Sequence, residues 1–332
     1  MVVDPNYLVR WFTEDDLDYY IQHLNNSLYN EYNEELFRWK FLENPFKIDI
    51  VPIAMVEEIK TGKLVGFNSF LPLELNTVST QFPIIQGCDG YIERGHRRKG
   101  LFQKTIHFVT DYFSGGGPEL LLGFNFVESL GAARNAGSIS TTSINRWFFE
   151  PYQIEMKLDR VNELELNRSN VSRVHEIYQE TSGGHVIHLH RTLEYLEWRF
   201  VESPLRDYEI CEYSLGDTRG YIIFSTIEDE EGRMELSIDD YFPPLSDANV
   251  FFRILHKILD EYPNVEIVEL YTRENDVIDV EVPKMGLEID REPRYTMIMK
   301  PIKLDIVDDQ IIRNGINLSD IGAWHLTKSD IY

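Results

Sequence analysis

Cysteine is nearly missing from this chain: 332 residues hold only Cys88 and Cys211, 123 positions apart in separate strand-like runs. A disulfide-stapled scaffold is thereby excluded, and the pair is expected to be reduced. No stretch approaches the ~20 apolar residues of a membrane-spanning helix. The opening Met1-Val2-Val3-Asp4-Pro5 lacks a basic start followed by an apolar core, so no secretory signal is expected, and the expected location is the cytoplasm without membrane insertion. Positive charge is scarce as well. Lys and Arg number 32 against 56 Asp and Glu, a net charge of −24, a field that argues against nucleic acid and anionic membrane surfaces as partners. Two nucleotide signatures are also absent: the P-loop, with its two glycines before Lys and Ser/Thr, and the three-glycine dinucleotide fingerprint.

Against this acidic background one segment reverses sign. Arg94-Gly95-His96-Arg97-Arg98-Lys99-Gly100 carries four cations and a histidine within six residues, which implies a bound anion. Ile84–Ile92 before it reads as a strand. Leu101–Phe113 after it has apolar residues at 102, 106, 109 and 113, the spacing of one helix face. The basic loop therefore joins a strand to the start of a helix, where free N–H groups and the helix dipole suit a phosphate or pyrophosphate. Gly100, without a Cβ, lets that group approach the backbone. The plainer alternative is a solvated basic turn.

The order Arg97-x-x-Gly100-x-Phe102, entered from a strand and leading into a helix, resembles the pyrophosphate loop of the GNAT superfamily of acyl-CoA-dependent N-acyltransferases. The family's signature is Gln/Arg-x-x-Gly-x-Gly/Ala, so Phe102 is a bulkier departure. The resemblance implies that Arg97, Arg98, Lys99, Gly100, Leu101 and Phe102 bind the cosubstrate's pyrophosphate, in large part through the amides of residues 98 to 102. It continues through the strand-like Glu119–Asn125 and a short small-residue helix, Ser129–Ala136, ended by Gly137. In the family two strands splay apart here and pantetheine lies between them. Ile92 would then bind pantetheine through its backbone, while Asn125 and Ser129 would line the thioester end. Asn125 serves equally well as a helix N-cap. Many members carry a tyrosine four residues before that glycine to protonate the departing thiolate. This chain has Ala133 there, which leaves Tyr152 on the following strand, or an unaided thiolate. Gln86, Cys88 and Asp89 are the candidates for assisting deprotonation of the acceptor. For Cys88 the plainer reading is a small buried thiol.

Length and composition supply core for two domains: 43% of residues are hydrophobic and 13% aromatic. An internal echo agrees. Leu36-Phe37-Arg38-Trp39-Lys40-Phe41-Leu42-Glu43-Asn44-Pro45 matches Tyr195-Leu196-Glu197-Trp198-Arg199-Phe200-Val201-Glu202-Ser203-Pro204, with Trp, cation, Phe, Glu and Pro in register 159 residues apart. A strand pair, a further strand, a helix and a second buried strand follow each copy. The expected fold is α/β: two tandem GNAT-like units, each a mixed, mostly antiparallel sheet flanked by helices, spanning 1–158 and 159–332. Trp39 and Trp198 are read as core aromatics. In place of the basic loop the second unit has Phe242-Pro243-Pro244-Leu245-Ser246, without glycine or cation, so only the first unit is expected to bind acyl-CoA. The second is left to shape the acceptor pocket or to stiffen the pair.

His185, His188 and His190 have no spacing that places all three on one face, so no metal is expected. The run Glu228-Asp229-Glu230-Glu231-Gly232 reads as a solvated hairpin turn. The tandem arrangement, with Trp-Lys/Arg-Phe before a Pro in each copy and the terminus Trp324-His325-Leu326-Thr327-Lys328-Ser329-Asp330, resembles prokaryotic GNAT proteins found with surface-polysaccharide synthesis. What this implies is an N-acetyltransferase using acetyl-CoA as cosubstrate and a primary amine as acceptor, a small molecule or a sugar-linked amine. Two rivals stand beside it: a Fem-type aminoacyl transferase, disfavoured by the CoA-type loop and the negative charge, and a non-catalytic CoA-binding protein, motivated by Ala133.

Overall fold

The computed structural model describes residues 5–27, 31–77, 79–151, 164–182, 186–229, 231–284 and 292–332. The chain forms two compact units, one made of residues 1–141, 296–321 and 332, the other of residues 142–295 and 322–331.

In the first unit the chain lays down β1 (Tyr7–Trp11), α1 (Leu17–Asn25), β2 (Ile53–Glu58), β3 (Lys63–Asn76), β4 (Gln81–Ile92), α2 (Leu101–Phe113), β5 (Leu120–Asn125) and α3 (Val127–Asn135). Strands β1 to β4 form an antiparallel meander, and β5 joins β4 in parallel. A parallel neighbour requires a crossover, and α2 is that crossover. The 102/106/109/113 spacing resolves as predicted: α2 lays Ile106, Val109 and Phe113 against Val9, Phe70, Ile85 and Leu121. On another cluster α1 packs Tyr20 and Leu24 with Phe37, Phe41, Met55 and Phe67.

The second unit repeats the plan with β6 (Ile139–Phe149), β7 (Glu165–Arg168), α4 (Val171–Thr181), β8 (His188–Leu189), β9 (Tyr208–Leu215), β10 (Thr218–Glu228), β11 (Met234–Phe242), α5 (Ala248–Glu261), β12 (Val265–Arg273) and α6 (Val277–Lys284). Its sheet runs β6-β12-β11-β10-β9-β7, again with one parallel pair, β11 and β12, bridged by the helix α5. The two echo segments share even their turn. Glu43 N donates to Arg38 O and Glu202 N to Glu197 O, both at 2.9 Å, the wide i to i+5 spacing. Trp39 and Trp198 are buried to 3% and 1%, as core residues.

The units do not follow one another simply along the chain. After residue 295 the chain returns through β13 (Glu292–Pro301) to the first unit, where Thr296–Pro301 pairs antiparallel with β5 from Asn125 to Leu120, and residues 322–331 then go back to the second. The division read from the sequence at residue 158 lies outside the described residues.

Candidate functional site

Strands β4 and β5 pair only at one end. Their ladder runs from Ile84↔Leu120 to Gly87↔Gly123, and beyond it β4 continues to Ile92 paired on its β3 side, through Asn68↔Gly90, Phe67↔Tyr91 and Gly66↔Ile92. The strands thus part into a fork, with a glycine on each side of its vertex. At the far end of β4 the basic loop begins. A single turn over Arg94–His96 is followed by Arg98 at φ 62° and Gly100 at φ 71°. The left-handed conformation at Gly100 is the one glycine accepts without strain, and a Cβ built there would meet nothing within 4 Å. Gly100 is also the N-cap of α2, so no side chain caps the first turn, and the first helical bond is Lys104 N to Gly100 O at 3.0 Å. The helix thus begins with uncapped N–H groups beside exposed Arg94, Arg97, Arg98 and Lys99.

The bulky Phe102 has its own accommodation. A Cβ on Gly90 would lie 2.8 Å from the Phe102 ring, so the ring rests on bare β4 backbone. The motif's small third residue is exchanged for a large one, and a strand glycine makes the room. Arg97 does not point freely outward: its Nε donates to Ile92 O at 2.8 Å. Of the Ile92 backbone groups expected to meet pantetheine, the carbonyl therefore already accepts a hydrogen bond. At the other arm of the fork Asn125 Nδ2 donates to Ser129 Oγ at 2.9 Å, and Ser129 donates to Phe126 O. The two are brought together as a pair, Asn125 does not act as N-cap, and the N-cap of α3 is Phe126. Ala133, on the inner face of α3, is wholly buried in the core and away from any solvent-facing role.

Gln86, Cys88 and Asp89 lie along β4 but in different surroundings. Gln86 is fully buried. Cys88 is half-buried, its Sγ donating to Ser69 Oγ at 3.6 Å, and burial pushes the thiol up, so it stays protonated at neutral pH. Asp89 accepts from Lys40 Nζ at 2.7 Å and from the Tyr20 hydroxyl at 3.3 Å. Both members of the ion pair are about nine-tenths buried or more, and Ser69 Oγ closes the network onto the Asp89 carbonyl at 2.8 Å. Tyr152 lies outside the described residues.

The second unit has a fork too, and it is filled. The parallel ladder of β11 and β12 ends at Ser237↔Glu269 while both strands run on. Residues 325–330 lie along this opening. His325 Nε2 donates to Tyr241 O at 2.7 Å, Thr327 donates to Asp240 at 2.8 Å, and Lys328 Nζ reaches both Ser237 Oγ and the Glu269 carboxylate. Asp330 joins Asp240 on the fully buried Arg191 guanidinium, at 3.2 Å and 2.8 Å. Burial pushes the Asp330 carboxyl up; at Asp240 burial acts the same way, but the Arg191 charge and hydrogen bonds, with His325 and Thr327, together hold that group down. The α5 N-terminus is closed as well, since Asp247 caps it by accepting from Asn249 N at 2.9 Å. One unit thus presents an uncapped helix under cations, and the other presents a carboxylate.

No site role was legible in the sequence for Tyr7, for Lys40 although the echo contains it, or for residues 325–330 although they lie in the Trp324–Asp330 terminus, because each acts across a long stretch of chain. Asp247 directly before an amphipathic helix was a legible N-cap signal. Of the histidine set, His185 lies outside the described residues, and His188 is wholly buried between Tyr178 and Phe242. Among the described residues no group of His, Cys, Asp or Glu is placed to hold a metal.

Neither a protein-family model nor a curated protein matches the sequence. Solved structures do match the fold. A GCN5-related N-acetyltransferase from Anabaena variabilis aligns over 89% of this chain and 73% of its own, at 15% identity and a TM-score of 0.67. Eis1 from Mycobacterium abscessus aligns over 89% and 73% at 13% identity and 0.55. The Saccharomyces cerevisiae N-myristoyltransferase, solved with bound myristoyl-CoA, aligns over 91% and 80% at 12% identity and 0.58. Identities this low speak to architecture, and on that likeness the chain has the fold of the GCN5-related N-acetyltransferases.

Proposed function

We propose that this protein is an acyl-CoA-dependent N-acyltransferase that takes acetyl-CoA at the first fork and transfers the acetyl group to a primary amine, on a small molecule or a sugar, in the cytoplasm. The observation that carries the reading is the uncapped start of α2 beneath the loop Arg94–Gly100, set at the open end of a fork between parallel strands. The pyrophosphate would take the amides of residues 98 to 102 and the charges of Arg97, Arg98 and Lys99. Pantetheine would run along the unpaired edge of β4 towards the glycines at the fork vertex, with Asn125 and Ser129 near the thioester.

The reaction then needs little further apparatus. The neutral amine attacks the thioester carbonyl, a C–N bond forms, and the tetrahedral intermediate expels the thiolate as the amine loses its proton. A backbone N–H of β4 in the fork would polarise the carbonyl. Gln86 can orient the amine but cannot accept its proton at neutral pH, and the protonated Cys88 thiol is no nucleophile. Asp89, whose carboxylate is held by Lys40, acts on the amine only through an intervening water. Core-facing Ala133 supplies no acid, so the thiolate leaves unaided or takes its proton from Tyr152.

Titration calorimetry with CoA tests the first step. Wild type is expected to bind one CoA per chain, because the second fork is filled and its helix capped. Gly100→Glu adds a negative charge at the anion site and roughly 1–2 kcal/mol of backbone strain, so binding is expected to vanish while the fold is kept. Undiminished affinity in that variant refutes the site. A screen of amines for CoA release separates an enzyme from a non-catalytic CoA-binding protein, a second reading that the buried Ala133 favours.

A further inference from the structure

Tyr7, on the first strand of the chain, is tied to the loop more than eighty residues away. Its hydroxyl accepts from Lys99 Nζ at 2.7 Å and lies 3.0 Å from His96 Nδ1. The ring does further work. Tyr7 is buried to 5% in a cluster with Val56, Val65 and Leu101, the first residue of α2, against which Ile92 also packs. The His96 ring meets it edge-on at 5.8 Å, and the Lys99 ammonium sits 5.4 Å from its centroid. One side chain outside the motif therefore touches the start of the helix and two side chains of the loop, and lies in one cluster with the end of β4.

We propose that Tyr7 is the positioning residue of the pyrophosphate loop, holding the Lys99 ammonium beside the uncapped start of α2 so that the cosubstrate meets a formed site. Lys99 is otherwise an exposed, flexible chain whose rotamer freedom is lost on binding a phosphate. Fixing it beforehand removes that cost from the binding step. The inference rests on the proposal that this loop binds CoA. Tyr7 does not reach the thioester, so its effect belongs to cosubstrate affinity and not to turnover.

Tyr7→Phe keeps the ring and its packing and removes only the hydroxyl. CoA affinity by calorimetry is expected to fall roughly 3- to 10-fold, the range of one hydrogen bond, with the melting temperature unchanged. In acyl transfer KM for the acyl-CoA rises while kcat stays put. Lys99→Met also weakens binding, and Tyr7→Phe combined with Lys99→Met is no weaker than Lys99→Met alone, because the hydroxyl acts through Lys99. Unchanged or tightened binding in Tyr7→Phe overturns the proposal, as do additive losses in the double variant. If wild type itself binds no CoA, the assignment of the loop falls and takes this role with it. That result is distinct from a wild type that binds and a Tyr7→Phe that binds equally well.

Discussion

His325 is a histidine that the folded chain keeps neutral. It is buried to 3%, donates to Tyr241 O, and is pulled from the usual 6.5 down to about 4 by burial and by the nearby Arg191 charge. Above about pH 6.5 it is neutral in folded and unfolded chains alike and contributes nothing to pH dependence. As pH falls from there towards 4, the unfolded chain takes up a proton that the folded chain refuses. Stability is therefore lost over that window, by up to about 3 kcal/mol, and the loss is complete once the folded group titrates too. The buried His188, also pushed down, acts in the same direction. Urea unfolding between about pH 7 and about pH 4 reads the slope. His325→Gln keeps an N–H for the Tyr241 carbonyl but cannot titrate, so its acid slope is expected to be shallower by about one proton; an identical slope rules the group out. At this scale the sequence was legible where chemistry is local and opaque where it is not. Gly100 could be picked out because the loop and the helix period surround it. Nothing near Asp89 announces Lys40, which lies 49 residues earlier and arrives only when the echo segment packs beneath β4.

Among the elements, α2 shows how a departure from a family pattern is absorbed. Phe102 stands where the resemblance calls for a small residue, and the ring fits because β4 carries Gly90 beneath it. Gly90→Ala places a methyl 2.8 Å from that ring, and its other close neighbour is Asn68 Oδ1 at 3.3 Å. Overpacking of this kind costs about 1–3 kcal/mol. Phe102→Ala removes the obstruction, so the double variant is expected to lose less stability than the two single losses together. Chemical denaturation of all four proteins measures that coupling, and strict additivity means that ring and glycine do not meet as described. Periodicity and turn residues drew some element boundaries well, whereas β4 begins at Gln81 and not at Ile84, and α3 spans Val127–Asn135 and not Ser129–Ala136. The predicted helix Leu101–Phe113 and the strand end at Ile92 both coincide with the structure, since glycines and the period of apolar residues mark them. The fork itself was taken from resemblance, because nothing in β4 records where its partner stops pairing.

For the whole molecule, the connection hidden from the sequence is the return of the chain. Sequential strands usually neighbour one another, so a reading along the chain closes the first unit before the second begins. Instead β5 is flanked by residues 296–301, contributed after the chain has passed through most of the second unit, which residues 322–331 then finish. The run at β13 is simply a short strand pattern, and its hydrogen-bond partner is a tertiary fact. The consequence concerns how far the first unit stands alone. A fragment ending at residue 158 lacks Met297, Ile298 and Met299, each buried to 2% or less, and leaves one edge of the buried strand β5 unpaired. Burying each such side chain is worth roughly 1.5–3 kcal/mol, and domain stability totals only about 5–15 kcal/mol, so the loss is large against the whole. The fragment is therefore expected to show no cooperative unfolding transition and no CoA binding, even though it carries the complete basic loop. Joining residues 292–321 to its end through a flexible glycine-serine linker should restore both. A fragment 1–158 that melts cooperatively and binds CoA as tightly as the full chain would show that β13 is dispensable to the unit whose sheet it completes.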